Sequence, residues 1–193
     1  MRIIQLAPLF AALFAPPAGW SQVALNPEPS RVLGHARLAL TSSSPNLVDA
    51  RDLNAPEAVA IDTSASPHIL YVADTGNSRV LGWRNAHDFI NGAPADLVIG
   101  QRDLYSALPL GPGTSFTSGL YQPTGLAVDA SGRLFVVDAG NNRVLRYPRP
   151  FSQPAGEPVL ADLVIGQTEF TSRTANAGGL SARTLALLST RGP

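Results

Sequence analysis

The stretch Ala95-Asp96-Leu97-Val98-Ile99-Gly100-Gln101 returns unchanged 66 residues later as Ala161-Asp162-Leu163-Val164-Ile165-Gly166-Gln167. A degenerate earlier copy, Val32-Leu33-Gly34-His35, stands 66 residues before Val98. A second block repeats between the copies. Leu53-Asn54-Ala55-Pro56-Glu57-Ala58-Val59-Ala60-Ile61-Asp62 aligns with Leu120-Tyr121-Gln122-Pro123-Thr124-Gly125-Leu126-Ala127-Val128-Asp129. A third block follows. Leu70-Tyr71-Val72-Ala73-Asp74-Thr75-Gly76-Asn77-Ser78-Arg79-Val80-Leu81 aligns with Leu134-Phe135-Val136-Val137-Asp138-Ala139-Gly140-Asn141-Asn142-Arg143-Val144-Leu145. Three blocks in the same order make the chain an array of one repeating unit.

Within the unit the pattern predicts strands. Residues 125–129 are short and apolar, and 130–133 have the small, φ-permissive residues of a turn. Residues 134–137 are rich in β-branched and aromatic side chains, as strands are. Residues 138–142 read as a second turn, 143–147 as a third strand closed by Pro148 and Pro150, and 163–165 as a fourth. Four short strands per unit is the pattern of a propeller blade. Residues 86–92 are expected to form at most a helical turn. Residues 102–119, with Gly111-Pro112-Gly113, read as a long surface loop, matched earlier by Thr41-Ser42-Ser43-Ser44-Pro45. Such loops on one side of every unit form one face, often a binding face.

Composition narrows the chemistry. Among 193 residues, 14 basic and 14 acidic side chains cancel, which argues against a nucleic-acid binder with its basic stripe. All the basic residues are arginine, so mechanisms that need a catalytic or phosphate-binding lysine are excluded. Cysteine is absent, which removes disulfides, thiol catalysis and cysteine metal sites. Arg2, an apolar run over 3–14, and Gly19-Trp20-Ser21 after two prolines have the three-part form of a secretory signal, with cleavage expected after Ser21. The run is too short to span a bilayer, which takes about 20 residues. The expected location is secreted or periplasmic.

The residues that carry the repeat also carry a resemblance. Pro123-x-Gly125-Leu126-Ala127-Val128-Asp129, then Leu134-Phe135-Val136-Val137-Asp138-x-x-Asn141-x-Arg143-Val144, resembles the NHL repeat. The earlier copy keeps Pro56, Ala60-Ile61-Asp62, Tyr71-Val72-Ala73-Asp74, Asn77 and Arg79-Val80, but has Ala58 where the family has glycine, and a longer first turn. The resemblance implies an all-β fold, a partial β-propeller of about two four-stranded NHL blades after an N-terminal signal peptide. The expected division is 1–21 signal peptide, 22–52 partial strand and linker of a preceding blade, 53–101 blade, 102–119 inter-blade loop, 120–167 blade, and 168–193 start of a further blade, truncated or frameshifted. The last expectation rests on Gly179-Leu180-Ser181-Ala182, which echoes Gly119-Leu120-Tyr121-Gln122 but is not followed by Pro-x-Gly-Leu-Ala-Val-Asp. NHL propellers include protein-binding and RNA-binding modules, and related propellers include lyases and lactonases.

The polar residues of the motif are Asp74, Asn77 and Arg79, repeated as Asp138, Asn141 and Arg143. A feature present in each unit is expected to serve the unit rather than a substrate. Each aspartate is expected to accept turn N–H groups, each arginine to pair with a carboxylate across the turn, and Asn141 to take the left-handed conformation. His35, His68 and His87 have no metal-ligand spacing, and no nucleophile elbow or phosphate cradle is present. Asp62 and Asp129 end the first strands, where related lyases and lactonases hold metal, but no such ligand set is recognisable. Neither catalytic residues nor a cofactor is therefore expected. The favoured reading is a non-catalytic exported binding scaffold for a protein or glycan, with no nucleic acid and no membrane span. The alternative is a fragment of a metal-dependent propeller enzyme of the lactonase or lyase class, which would need Ca or Zn in a complete propeller. Six blades of this size need about 400 residues. Two leave open edges, which self-association would cover.

Overall fold

The computed structural model describes residues 31–35, 47–110 and 119–187. The expected signal peptide and the loop at 41–45 lie outside the described residues. Among the described residues there are eight strands: β1 (Ala58–Asp62), β2 (Ile69–Asp74), β3 (Arg79–Trp83), β4 (Leu97–Ile99), β5 (Pro123–Val128), β6 (Arg133–Asp138), β7 (Arg143–Pro148) and β8 (Leu163–Ile165). They form two four-stranded antiparallel sheets, β1-β2-β3-β4 and β5-β6-β7-β8. Single 3₁₀ turns, Thr75–Asn77 and Ala139–Asn141, join the second strand of each sheet to the third. No α-helix occurs among the described residues, and no helix there is long and apolar enough to cross a membrane.

The two-residue period of a strand sorts each sheet into two faces. In the first sheet, Ala73, Val80 and Ile99 are cross-strand partners on one face, while Val72, Leu81 and Val98 share the other. The first of these faces meets the second sheet. Tyr71, Val80 and Ile99 pack there with Leu134, Val136, Leu145 and Tyr147. Burying side chains of this size is worth roughly 1.5–3 kcal/mol each. The other face of the first sheet holds Leu70, Val72, Leu81 and Trp83, partly covered by Leu33, Leu53, Phe89 and Leu104. Phe151, in the 3₁₀ turn Pro150–Ser152 after β7, locks the sheets together. Its ring lies where a Cβ on Gly82 would come within 2.9 Å, and the Arg84 guanidinium sits 4.6 Å above it.

A glycine–leucine contact recurs three times and fixes the repeat frame. Gly34 lies against Leu53, Gly100 against Leu120 and Gly166 against Leu185. Gly100 and Gly166 both have φ of 90°, and a Cβ on Gly100 would fall 2.6 Å from Leu120. Only glycine suits both the left-handed backbone and the close approach. This corrects the expected frame of the third unit. Leu185, not Leu180, takes the place of Leu120, and Leu180 is 88% exposed. The following backbone keeps the frame as well. The Leu187 N–H donates to Asn142 Oδ1 just as Gln122 N–H faces Ser78 Oγ.

The expected helical turn at 86–92 is also corrected. The segment runs as bends and a turn, because its amides are taken by other partners. Ala86 N–H donates to His68 O at 2.7 Å and His87 N–H to Asn85 Oδ1 at 3.0 Å. The departure at Ala58 has a compensation across the strands. Ala58 opposes Ala73, whereas Gly125 opposes Val137, where a Cβ would meet the valine at 2.9 Å.

Candidate functional site

The six motif residues are buried and form two copies of one cluster. In the second sheet, Asp138 ends β6 and Arg143 begins β7, so register places them opposite each other. Arg143 Nε donates to Asp138 Oδ2 at 2.7 Å, and Asn141 Nδ2 to the same oxygen at 2.8 Å. Asp138 Oδ1 accepts the Tyr121 N–H at 2.7 Å. The first sheet repeats this, with Arg79 Nε at 2.7 Å and Asn77 Nδ2 at 2.9 Å from Asp74 Oδ2, and Asn54 N–H at 2.6 Å from Oδ1. Burial pushes the Asp138 carboxyl above the ordinary aspartate range, and the Arg143 charge and the Tyr121 amide oppose it. The left-handed residues are Ser78 and Asn142, with φ of 53° and 52°, not Asn141. Each closes its 3₁₀ turn by donating its N–H to the turn's first carbonyl.

The rest of each guanidinium holds the loops between sheets. Arg143 Nη2 donates to Gly119 O at 2.9 Å, in the incoming connection, and Nη1 donates to Phe170 O in the outgoing one. Arg79 spans the equivalent gap, from Asp49 O and Asp52 O to Leu104 O. Gln101 adds a second tie, donating to Ser78 O at 3.0 Å and Leu108 O at 2.8 Å. Gln167 makes the same two bonds, to Asn142 O and Thr174 O. Residues 102–110, expected as a plain surface loop, are thus pinned by buried side chains at both ends. The remaining part, 111–118, lies outside the described residues.

The pinned loop presents Tyr105 and Leu108 to solvent, Tyr105 at 72% exposure. Asp103 shapes the turn beneath them. Its Oδ1 accepts the Ser106 hydroxyl at 2.7 Å and the Tyr105 N–H at 3.0 Å. These bonds, the Ser106 hydroxyl first, hold the Asp103 carboxyl below the usual carboxylate range. An exposed aromatic and an exposed leucine on a preorganised turn are suited to anchoring a ligand.

A small cavity of ≈ 80 Å³ opens at the opposite end of the sheets, lined by Asp62, Ser64, Tyr71, Arg149 and Phe151. Asp62 Oδ1 is occupied by Ser64, through its N–H at 2.8 Å and its hydroxyl at 2.6 Å. Burial, then the Asp62 charge, push the Tyr71 hydroxyl well above its ordinary value, so it stays protonated. Asp129 bonds its own turn, to Ser131 N–H and Arg133. Nearby, His68 Nδ1 and His87 Nε2 lie 3.1 Å apart. Sequence spacing gave no sign of this pair. The β2–β3 register would have found it, because Leu70 opposite Trp83 carries the segments around His68 and His87 to the same sheet edge. Among the described residues, no three His, Asp or Glu side chains converge as a metal-binding group.

Comparison with known families places an NHL repeat at residues 120–147, which span β5, β6 and nearly all of β7. The chain carries that repeat there, and with its two four-stranded antiparallel sheets it has a propeller-like fold. No curated protein matches the chain.

Proposed function

We propose that this chain is an exported, non-catalytic binding scaffold, two blades of an NHL-type propeller whose loop face holds a protein or glycan. The observation that carries the reading is the use made of each motif arginine. Arg79 and Arg143 are spent on fixing the connections at one end of the sheets. The six motif residues serve the blade, and the pinned connections serve the ligand through Tyr105 and Leu108. Rigid loops lose less entropy on binding, which is how a scaffold gains affinity. Zero net charge disfavours RNA, whose backbone rewards basic surface.

The test is binding of the full chain to a printed glycan array and a peptide array, beside Tyr105→Ala and Leu108→Ala variants. The expected result is binding to a subset of spots, weakened at least tenfold by either substitution with the melting temperature unchanged. Binding to neither array, or binding indifferent to both substitutions, would overturn it. Stoichiometric, saturable uptake of Ca²⁺ or Zn²⁺ in calorimetry would instead favour the metal-dependent enzyme.

A further inference from the structure

His68 and His87 are 19 residues apart in sequence, yet the fold sets them ring to ring. His68 ends the long turn between β1 and β2, and His87 follows β3. Register pairs Leu70 of β2 with Trp83 of β3, and the Ala86 N–H donates to His68 O at 2.7 Å, so the two backbones are tied beside the rings. His87 is also held through its own backbone: its N–H donates to Asn85 Oδ1, and its carbonyl accepts from the Arg31 guanidinium. His68 Nδ1 and His87 Nε2 face each other at 3.1 Å, with ring centroids 5.1 Å apart and planes tilted by 49°, so the rings meet through nitrogens and do not stack. His68 is half-buried and His87 exposed, which leaves the pair open to solvent. The internal copy shows that a blade does not need it. The second sheet turns from β5 to β6 within residues 129–132 and carries no histidine.

We propose that His68 and His87 form a binding site for a divalent transition-metal ion, with Cu²⁺ held most tightly. Imidazole nitrogen suits Cu²⁺, Ni²⁺ and Zn²⁺, and Cu²⁺ leads the order of affinity. Metal–imidazole bonds run about 2.0–2.1 Å, and two of them span 3.1 Å at an angle of about 95–100°. That angle lies between square-planar and tetrahedral, so the nitrogens already stand at the separation one ion needs. The ring that holds the proton between them gives it up and takes one on its outer nitrogen. Both facing nitrogens then offer lone pairs, with no net change in protons. Among the described residues no third His, Asp or Glu converges on the pair, so the remaining positions of the ion go to water. The site is separate from the loop face of Tyr105, which Gln101 ties to Ser78 at the other end of β3.

The experiment is a Cu²⁺ titration followed by calorimetry and electron paramagnetic resonance. It uses the full chain without a histidine tag, and His68→Gln, His87→Gln and the double variant. One Cu²⁺ per chain is expected for the wild type, with hyperfine coupling from two imidazole nitrogens. Each single substitution is expected to weaken binding at least tenfold, and the double substitution to remove the site. His35→Gln, the control, is expected to bind as the wild type does. No saturable uptake by the wild type overturns the proposal, as does a signal without two coupled nitrogens. Saturable uptake of Cu²⁺ or Zn²⁺ that survives the double substitution also overturns it, and is the uptake that the enzyme reading predicts instead. Circular dichroism checks that each variant keeps its β spectrum. His87 is exposed, so His87→Gln carries the test if His68→Gln unfolds.

Discussion

Arg143 is the residue on which most local order converges. Its guanidinium meets a carboxylate and two carbonyls from separate connections, and the residue is 1% exposed. Burying such a pair does not by itself stabilise a fold, because desolvation offsets most of the attraction. Removing one partner is different, since it strands a charge. Arg143→Met is expected to cost about 3–5 kcal/mol of unfolding free energy in urea. Arg143→Lys is expected to lose most of that, because an ammonium has no planar fork to reach three acceptors. Adding Asp138→Asn to Arg143→Met is expected to cost less than the sum of the two single changes, since both act on one network. The Arg133–Asp129 pair, 2.6 Å apart but only partly buried, is the control, and Arg133→Met is expected to move the urea midpoint far less. Equal losses at both arginines would contradict the role given to burial.

Among the elements, the opposed positions at the start of each sheet test whether the copies solved one packing problem in two ways. Gly125 with Val137 and Ala58 with Ala73 are two divisions of similar volume across the same strand pair. Gly125→Ala is expected to cost about 1–3 kcal/mol by overpacking, and Val137→Ala added to it is expected to restore part of the loss. The Asp103 turn gives a pH prediction. Its carboxyl sits below the usual range in the folded chain, so its contribution to loop order is complete above the unfolded value. That contribution fades as pH falls through the lowered folded value. The Tyr105 amide signal is expected to titrate with a midpoint below the ordinary aspartate value of about 3.9, and Asp103→Asn to abolish the step. Strands, turns and the Asp–Arg pairing were legible in the sequence because an internal copy separates required residues from incidental ones. The pinning of the loops was not legible, because the acceptors are carbonyls of Leu104, Phe170 and Gly119, whose side chains carry no sign of it. Leu185 was missed because Gly179-Leu180 echoes Gly119-Leu120 in sequence, and only the contact with Gly166 shows that the frame falls five residues later.

For the whole molecule, stability rests on the closure of one sheet on the other. Tyr71, Val80 and Ile99 of the first sheet pack against Leu134, Val136, Leu145 and Tyr147 of the second, and each is at most 1% exposed. The internal copy supplies a control, because Ile165 holds the place of Ile99 in the second sheet and is 45% exposed. Ile99→Ala is expected to cost about 2–5 kcal/mol of unfolding free energy in urea, through lost burial and the cavity left behind. Ile165→Ala removes the same atoms from a position already open to water and is expected to cost much less. Equal losses at the two positions would mean that the sheets do not bear on each other at Ile99, and that Phe151 against Gly82 is the contact that holds them in register.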